Sequence, residues 1–350
     1  MMATVCPEYS VDAEIASFFT KTSATRSACD ARAKELAGGS AVPVEVQGVC
    51  SYSVYAGREL EYVVQFRLKS LELKTETAAA ARKVYGVLAP MVSFEGQIGE
   101  ESDGKEPLLV YLMSRVRGIT HLDFILSHDS PENSHEFYAW RKNLITDVAR
   151  FFALSWKHPQ PVNQAYRESL GYKYVKELRL LLSALPDRFH VIIQNCIDSM
   201  DSILSLPMVL LHRDFGTCNI MVDEESCHLV GVIDWAEADI SPFGLNLHSL
   251  QALMGKLHLR DGWKRYDDYT VLQLAFWNTF KEEVGGLMED TLRTIKLART
   301  TGLLLSRGFT SRLANEPEPI PICDDERGRY NMLFLDGLLI NPVTRFDDID

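Results

Sequence analysis

Three polar residues at fixed distances around two short apolar runs constrain this chain more than any other feature. Val209-Leu210-Leu211 leads into His212-Arg213-Asp214-Phe215-Gly216-Thr217-Cys218-Asn219. Asn219-Ile220-Met221-Val222 then has strand character, Glu224-Glu225-Ser226 reads as a turn, and Leu229-Val230-Gly231-Val232-Ile233 is a second buried strand ending at Asp234. The pattern predicts a strand, a loop carrying Asp214, and a hairpin. Asn219 stands at the start of one arm of that hairpin and Asp234 at the end of the other, so their side chains can converge.

The residue types match the needs of phosphoryl transfer. One carboxylate, Asp214, is placed to receive or orient a proton from an attacking group. An amide oxygen and a second carboxylate, Asn219 and Asp234, suit a magnesium ion held against nucleotide phosphates. Mg²⁺ prefers hard oxygen ligands and keeps several waters, so few protein ligands suffice. The pattern H-R-D-x-x-x-x-N is present in full. Asp214-Phe215-Gly216 also spells D-F-G. The position of Asn219 assigns Asp214 to the catalytic loop instead, and Asp234 to the metal. His212 reads as a hydrogen-bonding residue of the loop rather than a chemical base.

The H-x-D-x-x-x-x-N loop followed by Ile233-Asp234-Trp235 resembles the aminoglycoside phosphotransferase and choline kinase group of small-molecule kinases. Val110-Tyr111-Leu112-Met113-Ser114-Arg115-Val116-Arg117-Gly118 is similar to the segment joining that family's two lobes. The resemblance spans roughly residues 45 to 250. In texture it lies nearest to fungal proteins carrying an aminoglycoside phosphotransferase domain. It implies an α+β, bilobal protein-kinase-like fold, with ATP and Mg²⁺ as cofactors. It also implies Asp214 as catalytic base and Asn219 and Asp234 as metal ligands. It fixes no acceptor beyond a small-molecule hydroxyl.

The expected division is a helical lead-in over residues 1–40, a nucleotide-binding lobe over 41–113 with a small antiparallel sheet, and a mainly helical lobe over 114–350. In the nucleotide lobe Val44-Glu45-Val46 alternates. Gln47 to Tyr55 reads as the phosphate-covering hairpin, with Gly48 allowing close approach and Ser51 and Ser53 offering donors. Only one glycine stands there, so a plain surface hairpin is the competing reading.

The strand Glu61–Leu68 should deliver a cation to the phosphates, yet it has no lysine. Alternation puts Val63, Gln65 and Arg67 on one face and Val64, Phe66 and Leu68 on the other. The phosphate partner is Arg67, which can bind bidentately, or Gln65 by strict motif register. Lys69 shares their parity but lies further out. Glu76 opens an Ala-rich helix, either as the partner of the strand cation or as a favourable acidic residue in a first turn. Asp103-Gly104 marks a hairpin tip. Met113 and Ser114 fall where an adenine would meet the inter-lobe backbone.

In the second lobe, Ser130-Pro131 reads as a helix start. Trp140, Leu144, Val148, Phe151 and Phe152 recur at helical spacing as core. Further helices are expected over 172–185, 189–204, 272–284 and 291–305. Glu237 and Asp239, and also Asn246, His248 and Arg307, are candidates for the acceptor side, with a solvated loop competing.

The 350 residues, 46% hydrophobic and 24% charged, are ample for a large core. A net charge of −12 disfavours a nucleic-acid partner. No apolar run reaches the ~20 residues that span a membrane, and no secretory leader is visible. Seven cysteines, none in a C-x-x-C pair, point to reduced thiols in a cytoplasmic protein. Cys218 and Cys227 flank the loop but match no zinc spacing. Two readings therefore stand: an ATP- and Mg²⁺-dependent phosphotransferase, or a nucleotide-binding pseudokinase or scaffold whose missing lysine reports lost catalysis.

Overall fold

A computed structural model describes residues 9–102, 104–310 and 318–347. The chain forms two compact units, Met1–Arg82 with Ala89–Val116, and Lys83–Leu88 with Arg117–Asp350.

The first unit contains α1 (Val11–Phe19), α2 (Arg26–Ala37), β1 (Ser40–Pro43), β2 (Ser51–Gly57), β3 (Tyr62–Leu68), most of α3 (Thr75–Tyr85), β4 (Val92–Ile98) and β5 (Leu108–Ser114). Its five strands form one antiparallel sheet in the order β1-β2-β3-β5-β4. One sheet face carries Tyr52, Val54, Val64, Phe66 and Val110, all buried, and packs with Ile15, Phe18, Cys29 and Ala33 of α1 and α2. Helices α1 and α2 thus pack into this core. Ser10 and Thr25 cap the two helices by accepting from the Ala13 and Ala28 amides.

Two local expectations shift here. Val44–Val46 is not a strand. The Gln47 side chain donates to the carbonyls of Val44 and Ser53 at 3.0 and 2.9 Å and accepts from the Ser53 amide at 2.9 Å. It thereby meets backbone groups that a ladder would otherwise use, and leaves Val46 exposed. The expected lobe boundary after Met113 also shifts, since β5 runs through Ser114 and Val116 still groups with the sheet. The Asp103-Gly104 turn falls partly on Asp103, outside the described residues, while Ser102 and Lys105 form an antiparallel bridge.

The second unit is mainly helical. It holds β6 (Ile119–Thr120), α4 (His121–Ser127), α5 (His135–Lys157), α6 (Gln164–Ala184), α7 (His190–Asp198), α8 (Met200–Ser205), β7 (Met208–Leu211), β8 (Ile220–Val222), β9 (Leu229–Val232) and β10 (Asp239–Pro242). Then follow α9 (Gln251–Met254), β11 (Gly255–His258), β12 (Gly262–Arg265), α10 (Tyr269–Glu283), α11 (Glu289–Arg307) and α12 (Arg329–Leu335).

Helix α5 is the spine of the core. Leu144, Val148, Phe151 and Phe152 are buried at 3–4 residue spacing. The Phe151 ring stacks on Phe215 of the loop after β7 at 5.4 Å and on Tyr85 at 4.3 Å. The helix starts at Ser134 rather than Ser130: its hydroxyl accepts from the Phe137 amide at 3.2 Å, after a turn closed by Ser134 N–H to the Pro131 carbonyl. The expected helix over 189–204 is broken at Ser199 (φ −93°, ψ 5°) into α7 and α8.

Candidate active site

The site in the second unit is built on two small sheets. Strand β7 pairs antiparallel with β10, and β8 lies between β6 and β9. Close approach of β6 to β8 requires Gly118, whose φ is +133° and where a Cβ would lie 2.5 Å from the Val222 carbonyl. The loop 212–219 leaves the fully buried β7 and returns as β8.

Asp214 is exposed, and Asn219 beside it is buried to 8%. The Asn219 Nδ2 donates to the Asp214 carbonyl at 2.8 Å and to its Oδ2 at 2.9 Å. With the amide nitrogen so used, Asn219 Oδ1 is left as an acceptor. The loop is closed by Asn219 and Ile220 amides donating to the Gly216 carbonyl, and the Asn219 carbonyl accepts from Ile233 N–H at 2.9 Å. That last bond ties the residue before Asp234 to Asn219.

Asp234 is exposed and sits at φ 59°, in the left-handed region. Asp is among the few non-glycine residues that enter it, at an energetic cost. The preceding carbonyl, Ile233, is held by His212 Nε2 at 2.8 Å. His212 is buried, with its ring edge-on to Trp235 at 4.9 Å. Burial pushes its pKa down, so at neutral pH the uncharged ring donates to that carbonyl. It is a positioning residue.

Arg213 points the other way. Its Nε and Nη2 grip both oxygens of Asp239 at 3.0 and 2.6 Å, and Nη2 also donates to Tyr174 Oη and Ser241 Oγ at 3.0 and 3.1 Å. Asp239, a candidate for the acceptor side, is therefore the anchor of the loop arginine on β10. Sequence reasoning missed this clamp. Tyr174 lies in a helical stripe with no local signal, while the pairing of β10 with β7 sets Asp239 opposite Leu211. Of the other candidates, Asn246 is buried and donates to the His212 carbonyl at 3.3 Å. His248 is buried among the charges of Arg307, Arg213 and Arg299. Glu237 is exposed.

The residues expected to hold magnesium have the right chemistry: an amide oxygen freed by its own hydrogen bonds and an exposed carboxylate, both hard oxygen donors. Among the described residues no group of three or more His, Cys, Asp or Glu is gathered to cage a metal. Such a pair leaves room for phosphate oxygens and water. Cys218 is exposed and Cys227 buried.

The second group of candidates lies in the first unit, on the sheet face opposite α1 and α2. Ser51 pairs across from Arg67, and Ser53 across from Gln65. Arg67 is buried to 8%; its Nε donates to the Leu71 carbonyl at 2.8 Å and Nη1 to Gln65 Oε1 at 3.2 Å. Gln65 Nε2 continues the chain to Ser53 Oγ at 3.4 Å. Lys69 lies on a 3₁₀ turn, more than half exposed and paired with Glu101. Glu76 is exposed in the first turn of α3, and the Arg67 guanidinium is held by the Leu71 carbonyl and Gln65. Ser114 is tied to Met91 by two bonds, its amide to the Met91 carbonyl at 3.0 Å and its Oγ from the Met91 amide at 2.9 Å. Met113 pairs with Val63 and Val92.

A five-stranded antiparallel sheet unit and a helical unit carrying this loop and hairpin define a protein-kinase-like α+β enzyme. The sequence profile of the Phosphotransferase enzyme family matches residues 51–257, and the chain belongs to that family as a small-molecule kinase. No curated protein sequence is significantly similar to it. Among solved structures, a Ralstonia eutropha protein assigned to the aminoglycoside phosphotransferases is 14% identical, with 81% of this chain and 88% of that one covered and a TM-score of 0.51. An aminoglycoside phosphotransferase from Streptomyces rimosus is 15% identical over 82% and 98% of the two chains, with a TM-score of 0.45. A glucosamine kinase is 16% identical over 76% and 70%, with a TM-score of 0.49.

Proposed function

We propose that this kinase transfers the γ-phosphoryl group of ATP, bound as its magnesium complex, to a hydroxyl of a small molecule. The observation that supports this most is the exposed Asp214 carboxylate fixed by the Asn219 amide, whose own oxygen is thereby turned free beside the tied Asp234 arm. Asp214 accepts the proton as the acceptor oxygen attacks phosphorus. The bond from the γ-phosphorus to the bridging oxygen breaks, and ADP leaves. Asn219 and Asp234 would hold Mg²⁺, which neutralises charge on the phosphate oxygens. In the sheet unit Arg67, buttressed by Gln65, would brace the phosphates, with Ser51 and Ser53 on the same face. Met113 and Ser114 are proposed to lie beside the adenine, and Glu76 to act only through the charge of its helix turn.

The test is transfer from γ-labelled ATP to pooled small alcohols, sugars and amino alcohols, beside a nucleotide titration with and without magnesium. A labelled acceptor that vanishes with Asp214→Asn is the expected result. Tight Mg-ATP binding with no transfer to any pool would favour the pseudokinase reading instead.

A further inference from the structure

Away from the catalytic loop, the second unit holds a cavity of about 220 Å³ between α4, α5, β11 and the segment before α10. It is lined in part by rings. Phe124 and Trp140 meet edge to face at 5.1 Å, and His128 stacks on Phe124 at 4.2 Å. The volume lies below the ~300–1,000 Å³ of drug-sized sites, so it suits a molecule of one or two rings.

Two lining side chains are buried with hydrogen-bonding capacity unused. Arg141 is 6% exposed. Its Nε pairs with Asp268 Oδ2 at 3.0 Å and its Nη1 donates to the Glu132 carbonyl at 3.1 Å, but Nη2 has no partner among the described residues. His121 is 4% exposed and its Nδ1 has no partner among the described residues either. Buried polar atoms are rarely left so, because such a group gives up its water without a hydrogen bond in return. An arginine nitrogen only donates, so whatever completes this site must bring an acceptor. Burial pushes the His121 ring down to about 4. At neutral pH it is uncharged and meets the same ligand as donor or acceptor. Arg141 is balanced by Asp268, and Lys256 by Glu132, so the walls favour neither a polyanion nor a cation.

We infer that this cavity is a binding site for a small planar aromatic molecule carrying an acceptor oxygen, a carboxylate or carbonyl, that meets Arg141 Nη2. The ring lies among Phe124, Trp140 and Tyr266. None of Asp214, Asn219 or Asp234 lines the cavity, so the occupant is not the phosphoryl acceptor. The site borders the catalytic hairpin nonetheless. Trp140 Nε1 donates to the Glu225 carbonyl in the turn between β8 and β9, and Leu122, next to His121, donates its amide to the Thr217 carbonyl of the loop.

The test uses the full chain and calorimetric titration with indole-3-carboxylate, and with indole as the analogue that lacks an acceptor oxygen. The wild-type protein should bind indole-3-carboxylate at sub-millimolar Kd and indole at least about tenfold more weakly. Ile125→Trp fills the cavity from α4 without touching the buried charges and should abolish binding of both. Arg141→Lys keeps a cation beside Asp268 but removes the free nitrogen; it should weaken the carboxylate about tenfold and leave indole unchanged. Melting curves of both variants without probe must stay near wild type for these losses to count, and two further fillings, Leu253→Phe and His128→Trp, serve if Ile125→Trp melts early. Binding that survives the filled cavity, or a wild type that takes up neither probe, overturns the site. Equal carboxylate affinity in Arg141→Lys overturns the role of its nitrogen.

Discussion

The Asn219 amide nitrogen donates to both the main-chain carbonyl and the carboxylate Oδ2 of Asp214, at 2.8 and 2.9 Å. One side chain therefore fixes the direction of the candidate base and, by spending its nitrogen there, leaves its own oxygen as an acceptor, the atom proposed above to meet a cation. The two roles proposed for the loop are geometrically coupled through a single amide.

Asp214→Asn keeps the shape of that contact but removes the base. Phosphoryl transfer should fall ~10²- to 10⁴-fold, with Mg-ATP affinity within a few-fold of the parent. Single-turnover transfer and a direct nucleotide titration read the two quantities separately. An Asn variant as fast as wild type would remove Asp214 from the chemistry.

Asp234 combines an exposed carboxylate with a φ of 59°. Asp234→Gly relieves the backbone and should raise unfolding free energy by up to about 1 kcal/mol, whereas Asp234→Ala should lower it slightly. Both should abolish the magnesium dependence of nucleotide binding. Urea unfolding beside titrations with and without Mg²⁺ checks this; a Gly variant less stable than Ala would show that the φ is not strained.

Arg213→Lys loses the two-point grip on Asp239 and the bonds to Tyr174 and Ser241. We expect a cost of about 2 kcal/mol, below the ~3–5 kcal/mol of a fully buried broken pair, because the Arg213 and Asp239 side chains are 28% and 38% exposed. Urea midpoints measure it. A lysine variant as stable as wild type would mean the clamp adds nothing beyond charge.

Arg67→Ala should weaken Mg-ATP engagement or turnover far more than Lys69→Ala, since Lys69 sits on an exposed turn engaged with Glu101. Gln65→Ala should have an intermediate effect, through lost support of the guanidinium. If Gln65→Ala proved the more damaging of the two, motif register would outrank charge.

Stability should fall on mild acidification. Burial lowers His121 from its ordinary 6.5 to about 4, and His248 to about 3 with help from nearby arginines; His212 is lowered as well. Each folded value lies below the unfolded one, so the unfolded chain binds more protons. Their stabilisation is complete above about pH 6.5 and is lost as pH drops toward the folded values. Between pH 7 and 5, before carboxylates titrate, the loss should reach about 2–4 kcal/mol. Urea curves at stepped pH test the slope, and His248→Gln should make it shallower. A flat profile across that window contradicts the burial argument.

The hairpin, β3 and α3 were legible because their signals are local: apolar alternation, an acidic first turn, and polar residues at fixed intervals. Helix starts were less so. Ser130-Pro131 has the composition of a cap, yet Arg141, a turn and a half into the helix, binds the Glu132 carbonyl and leaves Ser134 to start α5. The role of Asp239 was hidden for a similar reason. Its partner Arg213 lies 26 residues away, and only strand pairing brings the two together. Parity placed Arg67 on the sheet face it occupies, but its engagement with the Leu71 carbonyl depends on a tight 3₁₀ turn that carries no clear sequence mark.

The turn between β8 and β9 looks like any surface loop, yet α5 fastens it at three points: Trp140 to the Glu225 carbonyl, Asn143 to the Ser226 carbonyl, and Asp147 to His228. Strands of three and four residues do not stand alone in water, so the hairpin takes its shape from that helix. Surface turns ordinarily tolerate added residues. This one should not: an inserted residue between Asp223 and His228 would slip the three anchors out of phase, and the error would be carried up both arms to Asn219 and Asp234. Length at this turn should therefore be as tightly constrained as identity in the loop.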